Sequence, residues 1–116
     1  MDRLYYKLDE NNQVVEADGV VDAYKWRDED GKKRWKVGDT NIKDGKETIN
    51  ISTVFLTINH SWGPNEEPIL FETMIFGGKH DQWQERYTTH AESKKGHKEA
   101  VQMARNGMTS KIMHSR

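Results

Sequence analysis

The chain of 116 residues contains no cysteine, which excludes disulfides and thiolate metal sites and fits a reducing cytoplasm. No apolar run approaches the roughly 20 residues needed to span a bilayer, and the N-terminus lacks the apolar segment of a signal peptide. A cytoplasmic protein without a membrane partner is therefore expected. Apolar residues make up 34% of the chain against 32% charged, so there is material for one modest core in a single domain. The net charge of -1 hides an asymmetry. Residues 1 to 78 carry 10 basic and 15 acidic side chains, while residues 79 to 116 carry 8 and 4. Such halves favour packing of one on the other over a general nucleic-acid surface.

Proline is scarce too, and both prolines fall between Ile49 and Gly78, together with all three phenylalanines and five of the seven isoleucines. This stretch reads as a central hairpin, with strands at about 51–60 and 69–76 around a polar loop. Alternation puts Val54, Leu56, Ile58 and His60 on one face of the first strand and Thr53, Phe55, Thr57 and Asn59 on the other. The first set is the apolar one and is expected to face the core. In the second strand, Leu70, Glu72, Met74 and Phe76 oppose Ile69, Phe71, Thr73 and Ile75, so large apolar groups occupy both faces. That pattern predicts a helix on one side and a loop or second subunit on the other, hence a homo-oligomer. Glu72, in mid-strand, needs a cationic partner.

Ahead of this hairpin, Leu4 to Leu8 and Gln13 to Ala17 flank the turn residues Asp9, Glu10, Asn11 and Asn12, and predict a smaller hairpin. Val20, Val21, Tyr24 and the stem of Lys25 recur at helical spacing, which places a short helix near 20–26. Arg34 to Ile42 reads as a strand and Lys43 to Thr48 as a polar loop. Beyond the central hairpin, Trp83 to Tyr87 reads as a further strand. Thr89-His90-Ala91-Glu92 then has capping-box spacing, and Ser93, His97, Ala100, Val101, Ala104 and Met108 form one stripe of a helix at about 90–105. Gly96 inside that helix is explained by a close approach to the sheet, and residues 108–116 read as a frayed tail. The fold class is α+β: a small antiparallel sheet with one main C-terminal helix packed on it.

Two groups of residues are candidates for function. His60, Glu72 and His97 would converge where helix meets hairpin, as metal ligands or as the acid and base of a small hydrolase or lyase. The plainer reading, which the spacing favours, is that Glu72 pairs with Arg86 or Arg34 and that His97 is a satisfied core histidine. No His-x-His, His-Glu-x-x-His or nucleophile-elbow spacing supports the catalytic version, and no cofactor or metal is expected. The second group is Arg86, Tyr87, Lys94, Lys95 and Lys98 near a helix N-terminus, with Trp62 or Trp83 to stack on a base. It would hold a phosphate-bearing, nucleotide-like ligand, unless Glu92 already fills the helix N-terminus.

Ser52-Thr53-Val54-Phe55-Leu56, His60, Leu70-Phe71-Glu72-Thr73-Met74-Ile75-Phe76-Gly77-Gly78, Arg86-Tyr87 and Gly96-His97 together resemble a family of small bacteriophage and prophage proteins, over roughly Trp35 to Val101. The resemblance implies a viral origin, with the host cytoplasm as the place of action, and carries no assigned activity. Asn59 departs from it, since the family has an aspartate before the histidine, as does the less glycine-rich loop at Trp62. The expectation is a non-enzymatic phage accessory protein that counters host physiology or defence by sequestering a phosphate-bearing signal. The alternatives are the small hydrolase or lyase, or a protein inhibitor of a host defence enzyme.

Overall fold

The computed structural model describes residues 4–61 and 67–108. Its centre is a four-stranded antiparallel meander, in the order β3 (Lys36–Asp44), β4 (Glu47–Phe55), β5 (Phe71–Phe76) and β6 (Gln84–Tyr87). The helix α2 (His90–Asn106) lies across one face and touches all four strands. A second, two-stranded sheet of β1 (Tyr6–Leu8) and β2 (Val14–Glu16), with the helix α1 (Val20–Asp28), covers the rest of that face. This is the α+β fold the sequence predicts, with the main helix on the sheet.

The smaller hairpin turns where Asp9 Oδ1 accepts from the N–H groups of Asn11 and Gln13 and Asn12 takes φ 62, the side-chain-supported turn its composition favours. The β3–β4 hairpin is tighter than expected. Asp44 pairs with Glu47, so the predicted loop at Lys43 to Thr48 shrinks to Gly45 and Lys46, and Gly45 takes the positive φ of 67 that the turn requires. The predicted strand to His60 also ends early. Thr57 adopts φ 73, a left-handed conformation that breaks the alternation. Its carbonyl turns to accept from Tyr6 N–H at 2.8 Å, which joins the two sheets.

The facing of the central hairpin is the reverse of the expected one. Ile49, Ile51, Thr53 and Phe55 of β4, with Phe71, Thr73 and Ile75 of β5, are buried beneath the helices, whereas Val54 and Leu56 lie on the far side and are only half-buried. Two apolar clusters fill the covered face. Trp26, Phe55, Phe71, Tyr87, Leu70, Tyr6 and Leu8 lie beneath α1 and the small sheet, and Ile42, Ile49, Ile51 and Ile75 lie beneath Ala100 and Ala104 of α2. Trp26 meets Phe55 edge-on at 5.5 Å, a favourable aromatic geometry. The residues α2 turns inward are small: Ser93, Gly96, Ala100 and Ala104 are all buried, so the helix axis comes close to the sheet. The predicted tail lies outside the described residues except for Met108.

Candidate functional site

The covered face holds a chain of hydrogen-bonded side chains. His97 points from α2 at the sheet, where its Nδ1 meets Thr53 Oγ1 at 2.7 Å and its Nε2 meets Thr40 Oγ1 at 2.9 Å. Thr53 Oγ1 in turn meets Thr73 Oγ1 at 2.6 Å. One neutral imidazole with one N–H, plus three hydroxyls, satisfies these contacts with all protons running one way or all running the other. Burial lowers the His97 pKa, partly opposed by the charge of Asp39, so the ring is neutral at pH 7. Gly38, at a bulge in β3, leaves the space the ring occupies, since a Cβ there would lie 3.0 Å from it. Next to the chain, the Tyr87 ring runs under Gly96, and burial raises its pKa. Its hydroxyl makes no hydrogen bond of acceptable geometry, although Thr73 lies near enough to oppose that rise. The contacts of His97 with Thr40 and Thr53, and of Thr53 with Thr73, seat α2 on the sheet.

Glu72 is on the other face. Its carboxylate accepts from Arg86 Nε at 2.9 Å, one of the two partners its position calls for. With the Arg86 side chain 41% exposed, this pair is worth at most about 1 kcal/mol, so it is not the buried pair that mid-strand position suggests. Glu72 and His97 therefore cannot converge, because the sheet lies between them. His60 sits past the end of β4, exposed, with its backbone N–H donating to the Ile69 carbonyl at 3.0 Å. Among the described residues, no group of three or more His, Asp or Glu side chains is placed to hold a metal.

The anion-binding group also stays dispersed. Arg86 and Tyr87 are adjacent in β6 and so point to opposite faces, one to the Glu72 pair and the other into the core. Trp83 packs against the isoleucine cluster, and Lys94, Lys95 and Lys98 are exposed on the outer side of α2. Trp62 lies outside the described residues. The N-terminus of α2 is filled by its capping box: Thr89 Oγ1 accepts from Glu92 N–H, and Glu92 Oε1 accepts from the backbone of Thr88 and Thr89 and from the Thr88 hydroxyl. Those donors lower the Glu92 pKa and leave that end of the helix dipole neutralised by the protein itself. A shallow groove of about 440 Å³ beside Lys79, His80 and Glu99 opens at the C-terminal end of α2, where the dipole disfavours anions.

One surface feature runs against the sequence reading. In α1 the residues turned inward are Ala23 and Trp26, so Val20, Val21 and Tyr24, expected at core spacing, face out and are 46%, 77% and 39% exposed. Lys7 and Asp22 fix this orientation from the side, at 3.0 Å, while Asp22 also accepts from Asp18 N–H. At the C-terminal end the Arg27 guanidinium lies 5.8 Å from the Tyr24 ring and 4.8 Å from the Trp35 ring, which ties α1 to the start of β3. The sequence signal for this was the pair Ala23 and Trp26, three apart, which form an inward stripe as readily as the valines do. Asp18, Asp28 and Glu29, all exposed, bracket the ridge. Between Asp9 and Glu29 the chain has seven acidic and two basic side chains.

No protein-family model matches the sequence, and no curated protein or solved structure matches it.

Proposed function

We propose that this chain is a non-enzymatic binding protein, of the accessory kind with which phages act on host physiology or defence, and that it docks on a host protein through the α1 ridge. The observation that carries this reading is the outward placement of Val20, Val21 and Tyr24. Exposed β-branched residues weaken a short helix, and Val21 at 77% exposure adds nothing to the core. A partner that covers them gains apolar burial, and the acidic residues on either side select a basic surface around the contact. Inhibition of a host enzyme by covering a basic face is the concrete form. Sequestration of a phosphate-bearing signal is the weaker form, because Arg86 and the α2 lysines lie on opposite sides of the sheet and Glu92 occupies the helix N-terminus.

Immobilised protein incubated with host lysate is expected to retain a basic protein, with retention falling as salt rises. Val21→Glu, at a position too exposed to disturb folding, is expected to reduce that retention at least tenfold. Equal retention by wild type and variant removes the ridge as the docking surface. Calorimetric binding of a mono-, di- or cyclic nucleotide tighter than about 100 micromolar would instead return the weight to a phosphate-bearing ligand.

A further inference from the structure

The face of the four-stranded sheet opposite α2 has no element of this chain over it among the described residues. Register places its side chains in rows. Lys36, Val54, Glu72 and Arg86 form one row, Asp39, Ser52, Met74 and Gln84 the next, and Asn41, Asn50 and Phe76 the third. Leu56, just past β4, extends the first of these along the strand. Leu56 and Val54 follow one another along the β4 side and Met74 and Phe76 along β5, and the diagonal neighbours Val54 and Met74 join the two pairs into one apolar strip across the central strands. Phe76 is 41% exposed and the other three are half-buried.

Polar groups border this diagonal on both sides. Lys36 and Asp39 pair at 2.9 Å on β3, and Asp39 is held below the usual carboxylate range by Lys36 and by the Asn50 amide. Glu72 and Arg86 pair at 2.9 Å on β5 and β6. With Lys43 at the far end of β3, the face carries three cations and two anions. Its charge is close to balanced, unlike the acidic surroundings of α1, which would repel a second copy of themselves.

We propose that this face is a two-fold interface with a second copy of the chain. An apolar strip with a charge-balanced polar rim is the anatomy of a specific interface, and a two-fold axis lying in the plane between the two sheets lays the strip against itself, with cations and anions of both copies at each border. The area sets the strength. Four strands about 4.8 Å apart and up to nine residues long, at about 3.3 Å each, present roughly 500 Å² per copy. The pair then buries about 1,000 Å², at the lower limit for a specific association and in the size class of weak, transient contacts. The dimer is therefore reversible, and both α1 ridges stay free on its outer surfaces, since they lie on the covered side of each sheet.

Sedimentation equilibrium of the full chain tests this. The apparent mass is expected to rise from the monomer's 13.6 kDa toward twice that value as the concentration goes from about 1 to 500 micromolar. Met74→Glu puts like charges on the two-fold strip and is expected to weaken association at least tenfold. Phe76→Ser, at an exposed position, tests the same face without burying a charge and is expected to weaken it by a similar factor. Far-UV circular dichroism and melting of each variant show that it is folded. A wild-type mass of 13.6 kDa across the whole range overturns the proposal, and the face is then solvated or meets a different chain. Undiminished association of folded Phe76→Ser overturns it as well.

Discussion

Gly96→Ala is expected to cost the fold roughly 3 kcal/mol or more, one of the largest effects any single methyl can have here. Helix propensity works the other way, since alanine at a helix interior is about 1 kcal/mol better than glycine. The sign is decided by the space. A Cβ at position 96 would sit inside the Tyr87 hydroxyl and the ring carbons next to it, and Tyr87 has no room to retreat because its ring is packed into the Phe55, Phe71 and Trp26 cluster. Either α2 lifts off the sheet, which breaks the His97 contacts, or β6 shifts, which breaks its short pairing with β5. Chemical denaturation compares wild type with Gly96→Ala. Trimming the ring in the double variant Gly96→Ala, Tyr87→Leu is expected to recover part of the loss beyond what the two single changes add up to. A stabilised Gly96→Ala would mean that α2 lies farther from the sheet than described.

Thr53→Val is expected to lose roughly 2 to 4 kcal/mol although the shape of the side chain hardly changes. Thr53 Oγ1 is shared by His97 and Thr73, and the residue is fully buried, so its removal strands one polar atom on each side. Each buried group left without a partner costs about 1 to 3 kcal/mol. Thr40→Val touches only the outer end of the same chain, at a half-buried position, and is expected to cost about 1 kcal/mol. The ratio of the two losses, measured by denaturant melts at pH 7, separates a chain that holds the helix from a set of incidental contacts.

The helix α2 was legible from its capping box and its stripe of small residues, and the central hairpin from its concentration of β-branched and aromatic residues. Gly96 was legible as a point of close approach, though not the ring it approaches. The facing of the hairpin was not legible, because β4 and β5 carry bulky apolar residues on both sides and the side that is buried includes three threonines. Val54, Leu56 and Ile58 look more like a core than Thr53, Phe55 and Thr57 do. What reverses the choice is long-range: His97 on a helix over 40 residues away supplies the partner that makes a buried Thr53 tolerable. The described members of the anion-binding group stay apart for a local reason. Arg86 and Tyr87 are neighbours in a strand, and the same alternation that predicts the strand sends them to opposite faces. The exposed ridge on α1 stayed hidden because one residue of rotation exchanges Val20, Val21 and Tyr24 for Ala23 and Trp26, and only packing of Trp26 on Phe55 decides between them.

Whether the helix-covered face is structural, with binding left to the outer surfaces, is read directly from the His97 ring. Its pKa is lowered by burial in the folded chain. The unfolded chain therefore takes up a proton at His97 before the folded one does, so this group's stabilising contribution is full above about pH 6.5 and falls as the pH drops below it. His90, lowered by burial against Phe71 and by Lys94, acts in the same direction. Nitrogen-15 NMR titration of the ring nitrogens in wild type separates the two. His97 is expected to be neutral at pH 7, to hold one ring nitrogen protonated in a fixed tautomer and to titrate below pH 6.5, with the two ring-nitrogen shifts averaging by fast tautomer exchange in Thr53→Val. A His97 that titrates at or above pH 6.5 with averaged ring nitrogens would contradict a structural role for this face, and would mark the ring as an open, solvent-facing group.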